Sequence, residues 1–450
     1  VLTVNRAKAV AGKVDLPPSG DLFLVAALAA LASGRSCRIH PLGKGAEIRN
    51  WAALLDGHAA VTLEGDACLI ERADGAPPRP ITFADDRLPY RDTAVFLALG
   101  AGKSVLFEAV PDRRLDGWRA AGKRLGVVLE TVGEGKGRGL SCAPVDSATP
   151  PPQTIEERDI NAALGLFFGL HAKRSFRTCF TLSHPFRHLA GLFGATLEVK
   201  RDAGEKEKDP LLRRIRLQTK QKFSDQEQSF LVTTDFSAVR GEEAVLDIEL
   251  PGDEVLGALL CAAKSLIQRG SFVIDNAPLD PWALPILPFL RKMGCKPSVQ
   301  ELRKTAFGPA GMLSLSKFDL NGQKIDFAPQ HPGDMQLPAM AAVASFADNQ
   351  SLFRRFDDLR KSDPDGIRQL ESCLKAMDVK FGDIPDGFVI KGEKEYDGFD
   401  LIEPLPAPLA GAFTIAGLRC VGSTTVNDEL IVGRWPDFYE MIMKISEFRS

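Results

Sequence analysis

The residues best placed to do chemistry stand at a corner that recurs along the chain. Asp15–Gly34 reads D-L-P-P-S-G-D-L-F-L-V-A-A-L-A-A-L-A-S-G: a strand end, a Pro-Pro-Ser-Gly turn, and an apolar helix that stops at Gly34. Unpaired N–H groups and the helix dipole make such a corner a ready anion site. A cation in the turn would complete it, yet Pro17, Pro18, Ser19 and Gly20 are uncharged. An ordinary buried strand–helix corner is the competing reading. The layout returns at Pro251-Gly252-Asp253 before Val255–Leu266, at His331-Pro332-Gly333-Asp334 before Leu337–Phe346, and at Pro404–Pro408 before Leu409–Leu418.

Metal chemistry has little support. His184 and His188 have i,i+4 spacing, but Pro185 lies between them and acidic ligands are lacking nearby. The eight cysteines form no C-x-x-C and no Cys/His spacing suited to zinc. The charged stretch Arg201–Gln221, with Glu205–Lys208 inside it and Lys222 beyond, reads as a solvated hairpin; a basic phosphate contact is the alternative.

The elements that must position these corners follow from periodicity and punctuation. Val1–Val14 reads as one or two strands broken at Gly12. Helices are expected at Leu22–Ala32, Ile48–Leu55, Thr93–Leu99, Leu115–Arg124 and Ile367–Met377, the last with Asp363 and Asp365 as its cap. Asp334 reads as a cap for Gln336–Phe346. Strands are expected at Cys37–Ile39, Ala60–Leu63, Cys68–Glu71, Ser104–Glu108, Val127–Thr131 and Leu246–Leu250, with Ser147–Gln153 as a loop between units. One junction repeats: a helix ends in a left-handed residue and a strand follows at once. It occurs at Leu125-Gly126, Phe193-Gly194 and Met293-Gly294, and more weakly at Asp56-Gly57 and Met377-Asp378. A spacing of roughly 70 to 100 residues is too long for a solenoid and suits a few large βαβαββ units.

Composition bounds the class. At 450 residues two large domains are expected, and a net charge of −3 gives no sign of a nucleic-acid or membrane partner. The longest apolar run, Leu22–Ala32, is about half of what spans a bilayer. Scattered thiols and the lack of a secretory leader pattern point to the cytoplasm.

Taken in order, several segments resemble the enolpyruvyl transferases, and among them the EPSP synthase (3-phosphoshikimate 1-carboxyvinyltransferase) family, over nearly the whole chain. They are L-P-P-S-G-D, E-L-P-G-D with A-L-L-C-A-A, L-R-K-M-G-C, P-G-D-M-Q-L-P-A-M-A-A-V-A-S-F-A, F-D-D-L-R-K-S-D-P-D-G-I, A-F-T-I-A-G-L and W-P-D-F. The resemblance implies an α/β (α+β) fold: a two-lobed inside-out barrel, each lobe made of three βαβαββ units in pseudo-threefold symmetry. Residues 1–18 plus 252–450 would form one lobe and 19–251 the other. Crossings fall near Leu16–Gly20 and Leu250–Asp253, and substrates lie between the lobes. The family moves the enolpyruvyl group of phosphoenolpyruvate to a sugar-like hydroxyl and needs no metal or organic cofactor.

That reaction holds two polyanions side by side, which takes many Lys and Arg groups in one dry cleft. Matched to the family's motifs, most such positions are replaced. Its first lysine falls on Ser19 and the arginine after it on Leu24; its aspartate pair falls on Lys44 and Gly45. Arg91 lies one position from an expected arginine, and Arg113 is kept. The Ser-Ser-Gln phosphate cradle falls near Glu157–Asp159. The base falls on Met335, with Asp334 beside it. Arg360 is kept, whereas Ser362, Asp363 and Gly366 stand for Lys, Glu and Arg. Pro406, Ala407 and Pro408 replace Asp-His-Arg, and Gly433 replaces a lysine beside Arg434. Each charge-assisted bond contributes about 1.5–3 kcal/mol, so losing several abolishes transition-state binding.

The expected site residues are therefore Asp334 and Asp363 as catalytic groups, and Ser19, Arg91, Arg113, Arg360 and Arg434 as substrate ligands. The resemblance with its replacements implies an EPSP synthase-like protein that is not an active transferase. It would be a monomeric binding or regulatory protein of the shikimate (aromatic amino acid) pathway, with a small anionic metabolite in the cleft or a protein partner. The alternatives are an active enolpyruvyl transferase with a rewired site, and an enzyme of the same fold on another substrate.

Overall fold

The protein is described by a computed structural model. It covers every residue except 72–78, 86–89, 143–153, 156–161, 164, 167–174, 181–188, 190, 195, 202–229, 236–243, 281–282, 327–332, 357–359, 361–363 and 449–450. His184, His188, Glu157–Asp159, Asp363, the loop Ser147–Gln153 and nearly all of Arg201–Gln221 lie outside the described residues.

The main described helices are α1 (Gly20–Ser33), α2 (Ala46–Leu55), α3 (Arg91–Gly100), α4 (Asp112–Arg124), α5 (Glu254–Leu266), α6 (Ile286–Lys292), α7 (Gly333–Ser345), α8 (Pro364–Ala376), α9 (Ala407–Gly417), α10 (Glu429–Arg434) and α11 (Phe438–Ile445). Helices α1, α5 and α9 are apolar on almost every side, and nearly all their residues are buried. A helix apolar all round cannot lie on a surface, so the sheets close around it. The amphipathic helices α2 and α4 bury only a stripe, such as Ile48, Ala52 and Leu55 on α2.

The sheets repeat one plan. Strand Ile81–Asp85 runs through α3 to a parallel neighbour, Val105–Ala109, which pairs antiparallel with Arg138–Cys142 and so with Leu129–Val132. The same plan orders Leu246–Glu249, Cys37–His40, Ala67–Glu71 and Ala60–Glu64. It also orders Gly12–Asp15, Phe272–Pro278, Gly308–Leu315 and Pro297–Thr305, and again Lys324–Asp326, Gln350–Arg354, Gly387–Lys391 and Lys380–Ile384. The expected helix-to-strand junctions carry positive φ at Gly57, Gly126, Gly194, Gly294 and Asp378. The opening segment differs from expectation. It holds three strands, Leu2–Asn5, Ala7–Val10 and Gly12–Asp15, because Gly12 at φ 105° starts the third rather than ending the second.

Two hydrophobic cores result. One gathers Leu2–Leu16 with residues from Val255 onward, and the other gathers residues between Leu22 and Leu250. The chain passes between them twice, side by side. Pro18 and Gly252 form an antiparallel bridge; Ser19 N–H donates to the Pro251 carbonyl at 3.0 Å, and Asp253 N–H to that of Pro17 at 2.7 Å. A side chain at Gly252 would meet the Asn276 carbonyl and Leu16 Cβ at 2.5 Å, so this crossing requires glycine. One further link fastens the lobes. The hairpin joining Pro297–Thr305 to Gly308–Leu315 belongs to the first lobe, yet its tip, Ala306 and Phe307, is buried in the second lobe's core.

Candidate functional site

The side-by-side crossings bring the N-termini of α1 and α5 together, one from each lobe. Ser19 caps α1, its Oγ accepting from Leu22 N–H at 3.1 Å. Asp253 caps α5, its Oδ1 accepting from Val255 and Leu256 N–H at 2.9 and 2.8 Å. Both caps satisfy amides a helix cannot satisfy itself. Asp21 and Glu254 follow in the first turns, and Glu47 reaches in from α2. A Cβ at Gly20 would stand 2.5 Å from Glu47 Oε2, so glycine there leaves room for that carboxyl.

Arg434, the last residue of α10, enters this group from the other lobe. Its Nη2 lies 2.6 Å from Asp21 Oδ2 and 3.6 Å from Asp253 Oδ2, and its Nη1 lies 3.5 Å from Glu47 Oε1. The guanidinium also sits 5.1 Å from the Trp435 ring centroid, and Trp435 Nε1–H donates to Asp253 Oδ2 at 2.9 Å. Tyr90 O–H donates to Glu254 Oε1 at 2.7 Å. The side chain of Arg434 is 11% exposed and that of Asp21 1%.

One guanidinium cannot neutralise four buried carboxyls, so protons remain. Burial, then the charges of Asp21 and Asp253, push Glu254 up to about 8. Burial pushes Glu47 up to about 8 against the pull of Arg434, with Asp21 and Asp253 adding to the rise. Burial likewise raises Asp21, opposed by Arg434. Burial disfavours the charge on Arg434, but Asp21, Glu47 and Asp253 outweigh it and raise its pKa. Because Glu47 and Glu254 hold protons that the unfolded chain releases near 4.5, the native state is most favoured below that value. Its advantage declines as pH rises through about 8. Glu254→Gln is expected to flatten that decline and to raise stability at pH 8–9 by roughly 1–3 kcal/mol. Denaturation midpoints from pH 5 to 9 check this, and an unchanged slope would count against it.

The remaining N-termini of the first lobe meet at an apolar surface. Met335, Ile367, Leu370, Pro406, Pro408 and Leu409 line a cavity of about 90 Å³ between α7, α8 and α9. No cation lines it.

The expected site residues scatter. Ser19 is fully buried and turned to its own helix. Arg91 opens α3, with Nε 3.6 Å from Asp92 Oδ1. Arg113 is exposed on α4. Arg360 clamps the hairpin of Lys380–Ile384 and Gly387–Lys391, donating to Asp383 Oδ1 at 2.5 Å, the Gly387 carbonyl at 2.5 Å and the Ile384 carbonyl at 3.4 Å. Asp334 lies within α7, which begins at Gly333, so it is not the cap. Ser19 and Arg434 come together, at the acidic cluster. Asp21, Glu47, Tyr90, Asp253 and Glu254 were not foreseen from sequence; the aspartate after Gly20 and after Gly252 was the available signal. Among the described residues no His, Cys, Asp and Glu groups are arranged to hold a metal ion.

No protein-family model matches the chain. It is 27% identical over 213 residues to a 3-phosphoshikimate 1-carboxyvinyltransferase of Koribacter versatilis, covering 47% of this chain and 50% of that protein. It is 28% identical over 218 residues to the protein of that name from Desulfitobacterium hafniense, covering 46% and 49%. The chain thus spans about half the length of the curated relatives it matches. Its fold is that of EPSP synthase from Acinetobacter baumannii, at TM-score 0.65 and 16% identity over 98% of this chain and 97% of that one. The enolpyruvyl transferase NikO from Streptomyces tendae aligns at TM-score 0.62 and 16% identity, over 98% and 96%.

Proposed function

We propose that this chain, which belongs to the EPSP synthase and enolpyruvyl transferase family, keeps the two-lobed fold without the transfer reaction. The observation that carries this reading is the engagement of Arg434. The cation retained beside the α1 and α5 N-termini is already bound to Asp21, with Glu47 and Asp253 next to it. An incoming phosphate or carboxylate would have to displace these groups and then sit among acids. The α5 N-terminus, which could have bound a substrate anion, is occupied by the Asp253 carboxylate, and Asp21 stands in the first turn of α1 behind its Ser19 cap. On this reading the protein is a monomeric, cytoplasmic binding or regulatory protein acting beside the shikimate pathway.

A coupled phosphate-release assay with phosphoenolpyruvate and shikimate 3-phosphate is expected to give no turnover above the no-enzyme rate. Turnover that scales with protein concentration would sink this reading.

The apolar cavity at Met335, Ile367 and Leu409 favours a second reading, an enzyme of the same fold on a less anionic substrate. A melting-temperature rise with neutral or monoanionic metabolites would select it.

A further inference from the structure

The ends of the first lobe's helices opposite the crossings carry a different kind of site. A pocket of about 800 Å³ opens where α5 stops and where the strand Ala7–Val10 begins. Among the described residues five cations line it, Arg6, Lys8, Arg269, Lys394 and Arg419, against one carboxylate, Glu395. Ile267 and Phe448 supply an apolar wall.

Basic groups near helix C-termini have an ordinary role, since they satisfy the last carbonyls. Part of the charge here is used that way. Arg419 Nη1 donates to the Leu266 carbonyl at 2.8 Å, and its guanidinium lies 5.0 Å from the Phe346 ring centroid. Lys264 donates to the carbonyls of Gln268, Arg269 and Gly270 without lining the pocket. The rest exceeds what the helix ends need. Among the described residues Arg6 pairs with Glu395, its Nη2 2.8 Å from Oε1. Among the described residues, Lys8, Arg269 and Lys394 have no carboxylate within ion-pair distance. Arg419 is partly buried, and burial and the neighbouring Arg6 both lower its pKa; Asp348 and Glu395 offset this only in part. Like charges gathered in a concave, partly desolvated place are relieved by a bound anion.

We propose that this pocket binds a small organic phosphate, with its phosphate between Arg6 and Arg419 and its carbon skeleton against Ile267 and Phe448. Guanidinium groups match phosphate oxygens in bidentate geometry, and an aromatic wall suits a ring or short chain beside them. Glu395 is the internal competitor, because it already occupies Arg6. The assignment is independent of the acidic cluster at the crossings and of whether the chain catalyses any reaction.

Isothermal titration calorimetry of the full chain at constant ionic strength tests it, with pyrophosphate, ADP and citrate as probes. Pyrophosphate and ADP are expected to bind saturably at one site, and citrate at least tenfold more weakly. Arg6→Gln combined with Lys394→Gln is expected to weaken pyrophosphate at least tenfold. Glu395→Gln is expected to tighten it severalfold, a gain that a damaged fold would not produce. No saturable heat with either wild type or Glu395→Gln overturns the proposal, as does pyrophosphate binding unchanged by the double substitution. Equal affinity for citrate overturns the phosphate assignment.

Discussion

Arg434→Met is expected to lower the stability of the native state by about 3–5 kcal/mol at pH 8 and by much less at pH 5. Among the described residues no other cation is within ion-pair distance of Asp21 or Asp253. Removing the guanidinium leaves Asp21, Glu47, Asp253 and Glu254 to repel one another in a buried space. Methionine retains much of the stem that packs beside Trp435, so the loss reports charge more than volume. The sign of the pH effect follows from the carboxyls. Without Arg434 the pKa values of Asp21 and Glu47 rise further, and each must hold a proton that the unfolded chain gives up near its ordinary carboxylate value. The penalty therefore grows from pH 5 to pH 8. Urea denaturation at both values measures it; a loss under about 1 kcal/mol at pH 8 would mean that the ion pair contributes like a surface one.

Phe307→Ala is expected to cost about 3–5 kcal/mol and to divide thermal unfolding into two transitions. Phe307 is 3% exposed and lies in a core built almost wholly from the other lobe. Around it, Ala306 N–H donates to the Glu249 carbonyl at 3.2 Å, and Arg303 Nε lies 3.0 Å from Glu249 Oε1. The tip is thus a hydrophobic plug with a polar collar, which ties the stability of one lobe to the other. Emptying the plug leaves a cavity in one core and uncouples the two. Differential scanning calorimetry reads both effects, and a single unshifted transition would show that the crossings alone couple the lobes.

The helices were legible because their signals are local. The run Leu22–Ala32 is apolar on every side, which only an interior helix tolerates, and Gly34 at φ 66° marks its end. The helix starts were less legible. With Asp334 read as its cap, α7 is expected from Gln336, yet the helix begins at Gly333 and carries Pro338 inside it. The acidic cluster was hidden for a different reason. Its members sit at positions 21, 47, 90, 253, 254 and 434, and no periodicity connects them. Only the packing of two crossings makes Asp21 a neighbour of Arg434 across 413 residues of chain. Arg360 shows the converse error. Its motif suggested a ligand site, but an arginine facing two carbonyls and Asp383 has its donors taken up by the protein itself.

The paired crossings also set an order of assembly during synthesis. The paired strands from Cys37–His40 to Leu246–Glu249 find their partners between residues 19 and 251, so these pairings need no sequence translated later. The strands between Leu2 and Asp15 must wait. Gly12–Asp15 needs Phe272–Pro278, Leu2–Asn5 needs Ser423–Val426, and Ala7–Val10 needs Ser446–Phe448. During synthesis residues 2–16 therefore stay unpaired, with Val4, Val10 and Leu16 uncovered, until those later strands are made. Unpaired strand edges of this kind invite association with other chains. The charged residues Lys8, Lys13 and Asp15 give that waiting segment a measure of protection against it.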